Sequence, residues 1–213
     1  MMAQVSPIVS TDHTSFFPHA SAQHYVVGIG ASAGGLQAIS VILSALPSNL
    51  PAAIIIVQHT SPHRKCLLAR ILSRHTRLCV REAEENDRLA ANTVFIAPPG
   101  KHLILSHDGA ITFSIGPKIH FARPSVDVLF QSLASRIGSR VIGVVLTGNN
   151  CDGAEGIQEI KSNGGVTIAQ DEESSDFPRM PCSAAMTGDV DFILPLSAIA
   201  PKIMSVCAEE IQS

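Results

Sequence analysis

From Tyr25 the chain reads Y-V-V-G-I-G, a β-branched run closed by glycine, and the apolar positions that follow fall at 36, 39, 42, 43 and 46. The first pattern predicts a buried strand and the second one face of a helix over 36–46. The pair then repeats, with A-A-I-I-I-V-Q-H from Ala52 as a strand and 66–73 as a helix. Unalternating apolar runs of this kind suit parallel strands covered on both faces. Short strands are expected at 78–83 and 93–99. In H-L-I-L-S-H-D-G-A-I-T-F-S-I, the central Asp108-Gly109 signals a hairpin turn.

Ser125 is placed to cap a helix running to Arg136, with Asp127 favourable in its first turn and Gly138 as its stop. A strand over 140–148, a helix over 156–161, a strand over 166–170, the short D-F-I-L-P and a terminal helix over 196–211 complete the pattern. The expected fold is α/β: doubly wound and Rossmann-like, a mostly parallel sheet with helices on both faces and an antiparallel hairpin at an edge. At roughly 150 residues per domain, 213 residues make one domain, taken as 25–213 after a flexible leader over 1–24.

Composition narrows the function classes. Apolar residues make up 46% and charged residues 15%, which supports a large core. The net charge of -3, with no basic cluster, argues against nucleic acid. Cys66, Cys79, Cys151, Cys182 and Cys207 form an odd set without C-x-x-C spacing, as expected of a reducing cytoplasm. No Asp, Glu, Lys or Arg occurs from His13 to His63, but Gly34-Gly35, Pro47, Asn49 and Pro51 interrupt the stretch. No run approaches the roughly 20 apolar residues of a membrane span, so no membrane insertion is expected.

The first strand-to-helix turn admits two kinds of chemistry. As G-x-G-x-x-A (Gly28, Gly30, Ala33) it is a dinucleotide fingerprint. That motif needs an acid about 20 residues on, where this chain has Gln58-His59, and only Arg64 stands near to serve a 2'-phosphate. As G-x-S-x-G (Gly30 to Gly34) it is a nucleophile elbow presenting Ser32 at a helix N-terminus, with the Ala33 amide placed as an oxyanion donor. A serine that only caps the helix would read the same way.

Partners decide between these readings. His59 ends the second strand, and Asp152 follows the strand over 140–148 in T-G-N-N-C-D-G. In an open parallel sheet those ends share one crevice, so a nucleophile, a base and an orienting acid are expected to meet there. His59 and His63 have the spacing of a helical metal pair, but Pro62 forbids the helix, and no metal is expected. Cys151 reads as a half-buried loop thiol with no histidine beside it, and Glu82, Glu84 and Glu85 as a solvated acidic turn. Asn149 and Asn150 either bind their own backbone as Asx-turns or face the crevice and alter substrate choice. A nucleotide-binding or non-catalytic regulatory module with the same fold stays open as the alternative.

The segments I-G-A-S-A-G-G, I-V-Q-H, V-F-I-A-P-P-G-K-H, R-P-S-V-D-V-L-F, V-V-L-T-G-x-x-x-D-G-A-E-G and I-A-Q-D-E-E-S…M-P-C-S-A resemble, in order over about 25–205, the catalytic domain of the chemotaxis protein-glutamate methylesterases. The resemblance implies that Ser32, His59 and Asp152 form a catalytic triad. It implies a hydrolase without cofactor that converts γ-glutamyl methyl esters on methyl-accepting chemoreceptors to glutamate and methanol, often also deamidating receptor glutamines. Two departures stand out. The family commonly places a phosphorylatable receiver domain ahead of this one, whereas about 24 residues precede Tyr25, so a constitutively open site is expected. The family loop usually reads T-G-M-G-x-D-G, and this chain has Thr147-Gly148-Asn149-Asn150-Cys151-Asp152-Gly153.

Overall fold

The computed structural model describes residues 24–60 and 67–209. Residues 1–23 of the leader, His63, Arg64 and Cys66 lie outside the described residues. Nine strands and six helices follow the order β1 (Tyr25–Ala31), α1 (Gly35–Ala45), β2 (Ala52–Gln58), α2 (Leu68–Leu72), β3 (Cys79–Glu82), β4 (Thr93–Ile96), β5 (His102–Leu105), β6 (Ile111–Ser114), α3 (Val126–Ile137), β7 (Val141–Val145), α4 (Ala154–Ser162), β8 (Val166–Gln170), α5 (Arg179–Ala185), β9 (Phe192–Leu194) and α6 (Leu196–Glu209) among those residues. No described helix is long and apolar enough to cross a membrane.

Seven strands form one parallel sheet in the order β3-β4-β2-β1-β7-β8-β9. The strands β1 and β2 read as continuous apolar runs because both faces are covered. Side chains of α1 and α6, including Ile39, Leu43, Ile199 and Ile203, pack on one face with Ile54 and Ile56. On the other, α3 and α4 bring Leu129, Phe130, Leu133 and Ile157 against Ile55 and Val57. Each isoleucine of β2 is fully buried, a contribution of about 1.5–3 kcal/mol apiece.

The hairpin β5-β6 is a separate antiparallel sheet and does not extend an edge of the large one. Its apolar Leu103, Leu105 and Ile111 join the α3 side of the core, and the Leu105 amide donates to Ser132 Oγ on α3 at 2.6 Å. Packing on a helix, together with backbone bonds to the preceding loop (Asn86 amide to the Ile111 carbonyl and Ile111 amide to the Asp87 carbonyl, both 2.8 Å), therefore holds it. The helix α5 is absent from the sequence reading because Pro178 and Pro181 argue against one. Pro181 is the third residue of α5, where a missing N–H leaves no intrahelical bond unmade.

The glycines of the first turn have a packing role. A Cβ at Gly30 would lie 2.3 Å from Val126 Cγ1, and one at Gly28 would lie 2.9 Å from Phe130 and Leu133. They let α3 approach β1 closely and so fix where its N-terminus sits. Gly30→Ala is expected to destabilise the protein by about 1–3 kcal/mol in urea unfolding, and adding Val126→Ala should recover much of the loss. Simple additivity of the two substitutions would refute this packing account.

Candidate active site

The strand register brings the site together. Ala31 and Gln58 are partners at the ends of β1 and β2, so Ser32 and His59 leave the sheet side by side. The His59 amide donates to the Ala31 carbonyl at 3.0 Å. On the other flank of β1, Gly30 pairs with Val145, and the Ser32 amide donates to the Thr147 carbonyl at 3.0 Å. The chain order on the two sides of β1 diverges, to β2 and to β7, which makes this the switch-point crevice of a doubly wound sheet. Ser32, His59, Thr60, Lys118, Arg123 and Asn150 line a cleft of about 370 Å³ there.

Asp152 lies beside His59 and is wholly buried. Its Oδ2 is 2.7 Å from His59 Nε2 and accepts from the Val126 amide at 2.8 Å. Its Oδ1 accepts from Ser125 Oγ at 2.8 Å and from the Asp127 amide at 3.0 Å. The N-terminus of α3 thus encloses the carboxylate with amides whose partial positive charge favours an anion. Burial alone would push its pKa up. Hydrogen bonds from His59 and from the Asp127 and Val126 amides outweigh that and hold it well below the usual range.

The imidazole is oriented from both sides. Asp152 only accepts, so His59 Nε2 carries the proton and Nδ1 is the basic nitrogen. Asn150 Nδ2 lies 3.2 Å from that Nδ1 and donates to it. Asn150 Oδ1 also accepts from the Asp152 amide at 3.3 Å. Asn150 thus forms an Asx-turn and also lines the crevice. Asn149 is exposed. Ser32 Oγ makes no hydrogen bond to another described residue, and proton transfer to Nδ1 requires the Asn150 amide to give way.

Around this centre stand residues that the sequence reading missed. Gln58 Nε2 donates to the Ser32 carbonyl at 2.7 Å, and Thr147 Oγ1 donates to the Ala33 carbonyl at 3.0 Å. The elbow is thereby held from β2 and from the loop after β7, while Gly34 takes the left-handed φ of 77° that ends the turn. His102 Nδ1 accepts from the Ser125 amide at 3.2 Å, and its Nε2 donates to the Pro117 carbonyl at 2.9 Å. The rule that a buried carboxylate needs several donors points toward R-P-S-V-D as its cradle, but pairing a carboxylate with a remote helix start takes the fold.

Ser32 does not cap α1, whose N-cap is Gly34 with no side-chain bond. Ser125 caps α3 as expected, accepting from the Val128 amide. Asp127 is more than a first-turn charge: it is 1% exposed, and its Oδ1 accepts from the Gly153 and Gly156 amides at 2.9 and 2.8 Å, tying α3 to the start of α4. Cys151 does have a histidine neighbour, with His120 Nδ1 3.4 Å from its sulfur. The glycines of the dinucleotide fingerprint face α3 side chains instead of an open phosphate site.

Burial pushes the Asp127 carboxyl up to about 7, helped by the neighbouring Asp152 charge and opposed by the Gly156 and Gly153 amides. The folded chain then holds this proton more tightly than the unfolded chain. Stability is therefore greatest below the unfolded value near 3.8 and falls as pH rises through about 7. In Asp127→Asn, which keeps an acceptor for both glycine amides, this penalty is gone. Its melting temperature should rise relative to wild type as pH goes from about 5 to about 8. A gap that stays constant or narrows would contradict the assignment.

The chain resembles known proteins over the same region. A family model described as CheB methylesterase matches residues 27–203. A protein-glutamate methylesterase/protein-glutamine glutaminase of Methanosarcina mazei is 41% identical over 188 residues, covering 85% of this chain and 51% of that protein. One from Anaeromyxobacter dehalogenans is 44% identical over 182 residues, covering 85% and 53%. This chain thus spans about half the length of those two proteins. It matches 89% of a Leptospira interrogans protein that carries the same name provisionally, at 41% identity over 81% of this chain. The crystal structure of the Thermotoga maritima CheB methylesterase catalytic domain superposes with a TM-score of 0.82 at 35% identity, covering 86% of this chain and 98% of that one. With the elbow, the strand-end histidine and the enclosed aspartate all falling inside the matched region, the chain belongs to the CheB methylesterase family.

Proposed function

We propose that this chain is a serine hydrolase that removes methyl groups from glutamyl methyl esters on chemoreceptors. The observation that carries this reading is the 2.7 Å contact between His59 Nε2 and a buried, four-donor Asp152, with Ser32 in the same cleft. Ser32 Oγ attacks the ester carbonyl while its proton passes to His59 Nδ1. The imidazolium so formed keeps its Nε2–H on the Asp152 carboxylate, which stabilises the charge without taking the proton. The Ala33 amide, which donates to no other described residue, holds the developing oxyanion at the α1 N-terminus. Collapse passes the Nδ1 proton to the leaving oxygen and releases methanol. Water then attacks the acyl-serine with His59 as base again, leaving glutamate.

A glutamine amide can follow the same route with ammonia as leaving group, in line with the second half of the relatives' name. We infer a cytoplasmic setting, where thiols stay reduced; no disulfide forms among the described residues. Ser32→Ala, His59→Gln and Asp152→Asn are each expected to lower methanol release from methylated receptor membranes by roughly 10^3-fold or more. Folding should be intact, and double mutants far from additive. A Ser32→Ala protein with near-normal release would overturn the serine mechanism.

A further inference from the structure

At the lip of the cleft, residues 119–122 form a tight turn closed by paired bonds between Ile119 and Ala122, at 3.1 and 2.8 Å. Its two central residues, His120 and Phe121, have φ of 47° and 63°. Consecutive left-handed residues are ordinarily Asn or Gly, because a Cβ is disfavoured there. Here the turn is held by His120, which reaches back to Cys151 and, at 3.4 Å through Nε2, to Asp127 Oδ2. Phe121 points the other way and is 96% exposed, the most exposed large apolar side chain among the described residues. It lines the same cleft as Ser32 and His59.

The surroundings of Phe121 are basic, although the chain carries a net charge of -3. Lys118, His120 and Arg123 line the cleft, and among the described residues no Asp or Glu does. Arg123 is anchored by Nη1 bonds to the Ile115 and Gly116 carbonyls at 2.9 and 2.7 Å, whereas Lys118 is exposed. Ile115, at 78% exposure, adds a second apolar side chain close to that anchor. An aromatic residue held outward beside a cationic rim, next to a nucleophile, fits an acidic segment that also carries an apolar side chain.

We propose that the 119–122 turn is a docking lip for the protein substrate. An apolar side chain beside the scissile glutamyl ester packs on Phe121, and neighbouring carboxylates of that segment meet Lys118. This rests on the methylesterase reading and adds how the enzyme distinguishes a receptor segment from a small ester. The lip supplies binding away from the reacting atoms, so its loss falls on KM for receptors more than on kcat.

The test compares wild type, Phe121→Ser, Phe121→Leu and Lys118→Glu on methylated receptor membranes and on p-nitrophenyl acetate, with sedimentation to follow association. Phe121→Ser should lower kcat/KM on receptors about tenfold through KM, a loss well beyond any on the small ester. Phe121→Leu should restore most of it, and Lys118→Glu should weaken receptor turnover in the same selective way. Unchanged receptor kcat/KM in Phe121→Ser, or equal losses on both substrates, would overturn the lip. So would Phe121→Ser dissociating a dimer while leaving receptor kinetics intact, which would assign the patch to self-association. Wild-type protein that releases no methanol from receptors would remove the methylesterase reading itself, a result distinct from a failure of the lip.

Discussion

A carboxylate sealed from solvent stays ionised only where donors replace the water it has lost, and Asp152 finds four: His59 Nε2, Ser125 Oγ and the amides of Val126 and Asp127. Three of those donors belong to the start of α3. The position of that helix relative to β7 therefore decides whether His59 has an anion beside it. Gly28 and Gly30 admit α3 to within contact of β1, and Asp127 ties it to the α4 start through the Gly153 and Gly156 amides. Packing and electrostatics are in this way one constraint.

The same constraint produces an asymmetry between the two buried acids. Asp152 has its charge met on both oxygens and sits low. Asp127, whose own amide belongs to the cradle, has one side-chain oxygen satisfied and the other facing His120 at 3.4 Å, and sits high. One acid carries the charge of the site and its neighbour is pushed toward neutrality. Acids in contact divide their protons this way when only one can be surrounded by donors.

Much of this was legible in the sequence. The apolar runs at 25–30 and 52–59 and the helical spacing at 36–46 named β1, β2 and α1, because double coverage of a parallel sheet leaves that signature. That Ser32, His59 and Asp152 come together at one end of the sheet followed from their places at strand ends. What escaped were features made by tertiary contact. The hairpin was seen, but its docking on α3 depends on Ser132 and the apolar face of β5. Asp127 read as a helix-start charge because its partners, the amides of Gly153 and Gly156, are far along the chain. The His120 and Cys151 contact was invisible for the same reason, and α5 was hidden behind its prolines.

Asp152 holds His59 with the proton on Nε2, which under the proposed mechanism leaves Nδ1 as the base for Ser32. Nitrogen-15 NMR of the His59 ring in the neutral protein tests this directly. A protonated, pyrrole-type Nε2 and an unprotonated, pyridine-type Nδ1 are expected, with the Nε2 proton shifted downfield by its bond to Asp152 and that shift lost in Asp152→Ala. The opposite tautomer, or a ring whose nitrogens do not respond to Asp152→Ala, would contradict the account.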